Sequence, residues 1–166
     1  NYLTLAAVAD FSRSMTLTTL QLPADSAVPA AYGQLAGDAE ITLTVTRLDD
    51  GQSLTNETQN YTLSIAAAPD PTDEDLPHTQ DNALPSDLVN DLNAALARAG
   101  ADGVYARLDS GGRIVLGAID VSIDQLSVAD SIAGSLAALG FTATTSATAA
   151  VTPLGFLREQ AIAELR

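Results

Sequence analysis

The change of hydrophobic period within Pro85 to Gly117, from 3.6 residues to 2, constrains the fold of this chain more than any other feature. In PSDLVNDLNAALARAGADGVYARLDSGGRIVLG, Leu88, Leu92, Ala95, Leu96 and Ala99 recur at helical spacing, while Asn90, Asp91, Asn93 and Arg98 lie off that stripe. Ser86 is the expected N-cap, Asp87 suits the positive end of the helix dipole, and Gly100 is the expected stop. Val104, Ala106 and Leu108 then alternate with Tyr105 and Arg107, Asp109-Ser110-Gly111-Gly112 supplies a turn, and Ile114 and Leu116 lead back. A helix with one apolar stripe does not stand alone in water. The pattern therefore predicts a helix laid on a sheet to which this hairpin belongs.

Other strands are readable upstream. Ile41, Leu43 and Val45 alternate with Thr42, Thr44 and Thr46 within Asp38 to Asp50, and Tyr61, Leu63 and Ile65 alternate with Thr62 and Ser64 in Tyr61 to Ala67. Asp50-Gly51 supports a hairpin between them, with the strands reaching into the polar spacer. One face of these strands is Thr and Ser, so the sheet has a wet side and the helix is expected on the other. Tyr2 to Val8 and Met15 to Leu22 are apolar-rich, the second favouring a strand, and Pro23 to Gly37 reads as a connecting loop. Val121 and Ile123 suggest a further strand. Val128, Ile132, Leu136 and Leu139 have helix-compatible spacing interrupted by Gly134, Thr142 to Thr152 is a β-leaning or extended tract, and Leu154 to Arg166 reads as a short helix.

Composition bounds the function. Of 166 residues 46% are hydrophobic but only 4% aromatic, with no Trp, so the core is aliphatic and ring platforms for bases or sugars are scarce. Seven Arg/Lys against 21 Asp/Glu give a net charge of −14, a surface that repels nucleic acid and anionic membrane. There is no Cys, hence no disulfide framework, and no apolar run has the length of a membrane span. The chain begins at Asn1 without a basic, apolar leader, which reads as a processed or excised piece.

The order GDAEITLTVT, acidic spacer, PSDLVNDLNAALARAG, VYARLDSGGRIVLG and LAALGF resembles a module repeated in giant bacterial secreted or surface proteins of the adhesin and hemolysin-type class. It is also similar to the insertion motif of flagellar hook-associated and filament-cap proteins. The resemblance spans Gly37 to Phe141 and implies an extracellular building block; it carries over no catalytic residue.

Candidate chemistry centres on Ala68 to Leu84, a Pro-rich loop. Asp70, Asp73, Glu74, Asp75 and Asp81 offer oxygen ligands for weak Ca²⁺ binding, although neither an EF-hand spacing nor a nonapeptide repeat is present. His78, the only histidine, is expected to be solvated rather than a base or ligand. Gly111-Gly112 lacks the spacing and following helix of a phosphate cradle, and no Ser sits in a nucleophile elbow. Asn56-Glu57-Thr58 and Asn60-Tyr61-Thr62 match the glycosylation pattern by chance.

These readings converge on an α+β, ββαββ-like antiparallel fold with one amphipathic helix on one face. The expected organisation is a strand-rich extension over 1–36, the module over 37–141, and a Thr/Ala linker with a short helix over 142–166. The expected function is a non-catalytic structural or adhesive module of an extracellular bacterial surface assembly, with neighbouring modules or identical subunits as partners, no nucleic acid, no membrane insertion and no cofactor beyond Ca²⁺. The alternatives are a subunit of a homopolymeric filament or sheath and, further off, a carbohydrate-binding or enzymatic domain.

Overall fold

Alternation in β2 (Ala39–Arg47) and β3 (Glu57–Ile65) sets the first layer: Ile41, Leu43, Val45, Leu63 and Ile65 are buried, while the Thr and Ser between them stay at or near the surface. The computed structural model describes residues 20–47, 56–120, 122–142 and 145–148. The apolar stretches before Leu20, the Asp50-Gly51 turn, Val121 and the helix expected over 154–166 lie outside the described residues.

The fold is α+β with antiparallel pairing, and its strands divide between two sheets where the sequence suggested one. β2 pairs with β3 on one side and β6 (Ile123–Asp130) on the other, and β6 pairs with β7 (Thr145–Thr148), giving the order β3-β2-β6-β7. The hairpin of β4 (Val104–Leu108) and β5 (Ile114–Ala118) pairs instead with β1 (Gln21–Pro23), giving β1-β5-β4. Leu22, Leu116 and Ala106 share one register row and are all buried, so the described end of the N-terminal stretch completes this chain's own sheet.

Helix α1 (Pro85–Ala99) joins the two sheets. It touches β3, an edge of one, and β4, an edge of the other, and buries Leu88, Val89, Leu92, Ala95 and Leu96 in a single core shared with both. On the far side β1 touches β6 and β7. Arg47 ties the sheets across the end of the helix, donating from Nη2 to the Asp102 carbonyl at 2.6 Å with Nε 3.6 Å from Asp120 Oδ2.

The helix ends show where local chemistry departs from expectation. Ser86 is not the N-cap: Pro85 opens the helix, Leu84 occupies the cap position, and the Asp87 carboxylate accepts the Ala83 and Leu84 N–H groups, both at 2.9 Å. Pro at the first position pre-sets the helical φ and leaves Asp87 one turn in, within reach of the orphan amides. Gly100 stops the helix at φ 71° as expected.

The helix suggested around Val128 to Leu139 is also corrected. Val128 is the buried end of β6, and only Ser135–Ala138 (α2) is helical. The Ser131 and Ile132 amides both donate to the Glu40 carbonyl at 3.0 Å, and Gly134 adopts φ 91°, which a continuing right-handed helix does not allow. Leu139 and Phe141 enter the core, and Ser26 fastens the turn between them by donating from N–H and Oγ to the Gly140 carbonyl.

Candidate functional site: an acidic cleft beside the helix

The loop from Ala66 to Leu84 returns alongside β3 and then feeds α1. Its course is held by backbone bonds: Ala66 N–H donates to the Pro77 carbonyl at 2.8 Å and Thr79 N–H to the Ala66 carbonyl at 3.0 Å. The buried Thr79 hydroxyl accepts the Leu35 amide at 3.0 Å. Buried Asn82 then clamps three segments together. Its Nδ2 donates to Asp91 Oδ2 at 2.7 Å and to the Gly33 carbonyl at 3.0 Å, while its own carbonyl accepts Gln34 Nε2 at 2.8 Å.

Between this loop and the first half of α1 lies an open cleft of about 430 Å³. Glu74, Asp75 and Asp81 line it from the loop, Asp87 and Asp91 from the helix, with His78 among them and no Arg in the lining. Three of the five proposed calcium ligands thus reach the cleft. The other two do not: Asp70 Oδ1 accepts the Thr72 amide and hydroxyl at 2.8 and 2.7 Å, and Asp73 is paired with Arg98 through two bonds of 3.0 and 2.5 Å. Among the described residues no three His, Asp or Glu side chains converge in an arrangement that would hold a metal ion.

The carboxyls differ in electrostatic character. Burial pushes the half-buried Asp91 carboxyl above its ordinary range, against the opposing effects of Asn82 and His78, and nearby Asp81 and Asp87 add to the rise. Asp70 is held below that range by the hydrogen bonds from Thr72. His78 Nδ1 lies 3.3 Å from Asp81 Oδ1. That approach is close enough for an ion pair but off hydrogen-bonding line, and the nitrogen is shut from solvent with no hydrogen-bond partner among the described residues. His78 is therefore half-buried within the cleft, not the freely solvated loop histidine that the sequence suggested.

Asp87, Asp91 and Asn82 were not singled out from sequence. The i, i+4 spacing of Asp87 and Asp91 could have placed both on one helix flank; nothing in the sequence signals the burial of Asn82. Elsewhere the Gly111-Gly112 segment is the expected hairpin turn, with Gly112 at φ 73° and the Asp109 carboxylate accepting the Gly111 and Arg113 amides at 2.8 and 3.0 Å. Asn56 and Asn60 are exposed, and Asn60 Oδ1 accepts the Thr44 hydroxyl.

In comparisons with family models, curated proteins and solved structures, nothing matches this chain. Among the described residues no helix is long and apolar enough to cross a membrane. Chemically, the cleft concentrates negative potential and offers groups that exchange protons.

Proposed function

We propose that this chain is a non-catalytic structural or adhesive module of an extracellular bacterial surface assembly, with neighbouring modules or identical subunits as its partners. One observation carries the reading: each part of the resemblance pattern falls on a structural role. GDAEITLTVT contains β2, PSDLVNDLNAALARAG contains α1 and its glycine stop, GGRIVLG contains the turn and β5, and LGF supplies two core side chains around the Gly140 turn. A pattern made of core and turn positions specifies a scaffold, and function is then carried by how copies are arranged. The acidic cleft fits a role in weak calcium uptake within such an assembly.

Light scattering tests the arrangement. A module is a monomer when isolated, whereas a filament subunit grows with concentration. A melting temperature raised by millimolar calcium supports cation uptake, since a ligand of the native state stabilises it by mass action. Turnover of a substrate, or concentration-dependent polymers, would replace the module reading.

A further inference from the structure

We infer that His78 and Asp81 form a proton-operated clasp that tightens the Ala66 to Leu84 loop against α1 as the pH falls through the histidine range. This proposal is independent of the module reading.

The clasp starts from a fixed point. His78 sits between the two residues whose backbone bonds anchor the loop to the end of β3, Pro77 accepting from Ala66 and Thr79 donating to it. Its ring is thus placed by the fold. Asp81 belongs to the turn that follows, closed by the Asn82 amide donating to the Thr79 carbonyl at 3.2 Å, and its side chain is 80% exposed. The next residue, Asn82, grips Asp91 of the helix and the Gly33 carbonyl together. A pull on Asp81 is therefore transmitted directly to the contact that fastens loop to helix.

Protonation supplies the pull. Neutral imidazole leaves Nδ1 beside Asp81 Oδ1 without a hydrogen bond, shielded from water. Imidazolium carries an N–H at both ring nitrogens, so a small ring rotation turns the 3.3 Å approach into a charge-assisted bond. The charges facing His78 reinforce this: Glu74, Asp75 and Asp81 from its own loop and Asp87 and Asp91 from α1 are all acids. Asp38, which accepts the Ala67 amide at 2.9 Å, adds a further negative charge near the loop's first turn. The single cation nearby, Arg98, is engaged by Asp73. At neutral imidazole these acids repel one another across the cleft. A proton on His78 offsets that repulsion at its centre, and uptake by the buried Asp91 carboxyl works in the same direction.

The sign is set by which state binds the proton better. A histidine that gains a carboxylate partner only in the closed loop contributes stability below the histidine range and loses it as the pH rises through that range. The Asp groups held low elsewhere act only below the ordinary carboxylate range, so the two effects separate on the pH axis.

The test is native-state amide exchange of the wild-type chain between about pH 5 and about pH 8, the span over which imidazole changes charge. It is corrected for intrinsic exchange and referenced to the core helix amides of Leu92 and Leu96. The amides of Thr79, Asn82 and Leu84 should be protected roughly tenfold better at the lower pH relative to that reference, the size of one charge-assisted bond. The midpoint should coincide with the titration of the single imidazole resonance. His78→Gln should abolish the difference and Asp81→Asn should shrink it, both without changing the Leu92 and Leu96 reference. Equal loop protection at both pH values in the wild type overturns the proposal. So does an unchanged difference in His78→Gln, which would assign the effect to the carboxyls alone.

Discussion

The two sheets are made from the same aliphatic alphabet and obey different rules. β5, at the centre of the three-stranded sheet, is buried at all five positions from Ile114 to Ala118, while β2, at the centre of the four-stranded sheet, alternates between buried and half-exposed side chains. The difference arises above β5. Gln21, Gly117 and Tyr105 form one register row and Pro23, Val115 and Arg107 the next, all on the face away from the core. There the Tyr105 ring lies over Gly117, and Arg107 Nη2 reaches across the sheet to Gln21 Oε1 at 2.9 Å, roofing Val115. Long amphipathic side chains thus cover a face that no helix covers. β2 has Thr44 bonding Asn60 and Thr46 approaching Thr58 instead, a ladder of short hydroxyls open to water. Alternation reports whether a face is wet, and a dry outer face can be built from charged and polar residues.

The comparison breaks first at Leu116, which is fully buried between Leu22 and Ala106. Leu116→Ala removes core packing from a strand enclosed on both sides and should cost about 2–5 kcal/mol, enough to unfold a marginal domain. A urea midpoint within error of wild type would show that the three-stranded sheet is peripheral.

The sheets also differ at their edges. The outward N–H and C=O of Ala106 on edge strand β4 are taken by one side chain of α1: Asn93 Oδ1 accepts the amide at 2.8 Å and Asn93 Nδ2 donates to the carbonyl at 3.0 Å. This protects an edge that would otherwise offer itself to another strand. Asn93→Ala should leave both backbone groups short of partners and cost roughly 1–3 kcal/mol. It should also raise self-association in light scattering; a variant that is destabilised yet strictly monomeric would deny the edge-blocking role.

Gly117 tests the roof. A methyl added there meets the Tyr105 ring, so Gly117→Ala must push the ring aside, with a cost of roughly 1–3 kcal/mol for overpacking. Because the obstacle is one side chain's far end, Tyr105→Ala in the same molecule should recover much of the cost. Additive losses in that double-mutant cycle would place the strain in the backbone instead.

These pairs mark how far the sequence could be read. The face of each residue was legible wherever the period was clean, as at Ile41 to Thr46 or Leu88 to Leu96, since burial follows the apolar spacing. Which strands pair was not legible: alternation names the face of a strand and leaves its neighbour open, so the hairpin of β4 and β5 and the hairpin of β2 and β3 read as one sheet. Val128, Ile132 and Leu136 fit a helix by spacing alone, and the outcome turned on Gly134 and on the Glu40 carbonyl ninety residues away in sequence by order of magnitude, which no local pattern reports. The cleft was half visible. Its loop acids stood out as a run, whereas Asp91 and Asn93, both off the apolar stripe, looked alike as solvent-facing helix residues although one lines the cleft and the other plugs a sheet edge.

Acid should separate the two carboxyl environments. Asp109, at the hairpin turn, is held below the ordinary carboxylate range first by the Arg113 amide, then by its side chain, with Gly111 contributing. A depressed folded pKa contributes stability that is present above the unfolded value and is lost as the pH falls through the folded one. Asp25 and Asp120 carry the same sign through Thr142 and Ser122. Asp91 carries the opposite sign. Asp109→Asn should therefore flatten the acid limb of a stability-versus-pH curve, while Asp91→Asn should leave that limb intact and raise stability near neutrality. Acid limbs that match wild type in both variants would mean that the turn carboxylate is not differentially bound in the folded state.

The smallest effect is expected on the wet face, and its smallness is informative. Thr44 is half-exposed beside fully buried Leu43, and its hydroxyl bonds only to the exposed Asn60 side chain at 2.8 Å. Thr44→Val keeps the β-branched shape and strand preference and exchanges one surface hydrogen bond for a methyl. Water readily replaces that bond, so stability should change by no more than about 0.5 kcal/mol in either direction. Leu43→Ala, one residue away on the other face, should cost about 2–5 kcal/mol. Thermal melts of the pair measure the contrast within a single strand. A loss above about 1 kcal/mol for Thr44→Val would mean that the hydroxyl lies in an environment water does not enter. The four-stranded sheet would then be covered, as the three-stranded one is, by some other part of the chain or by a second copy.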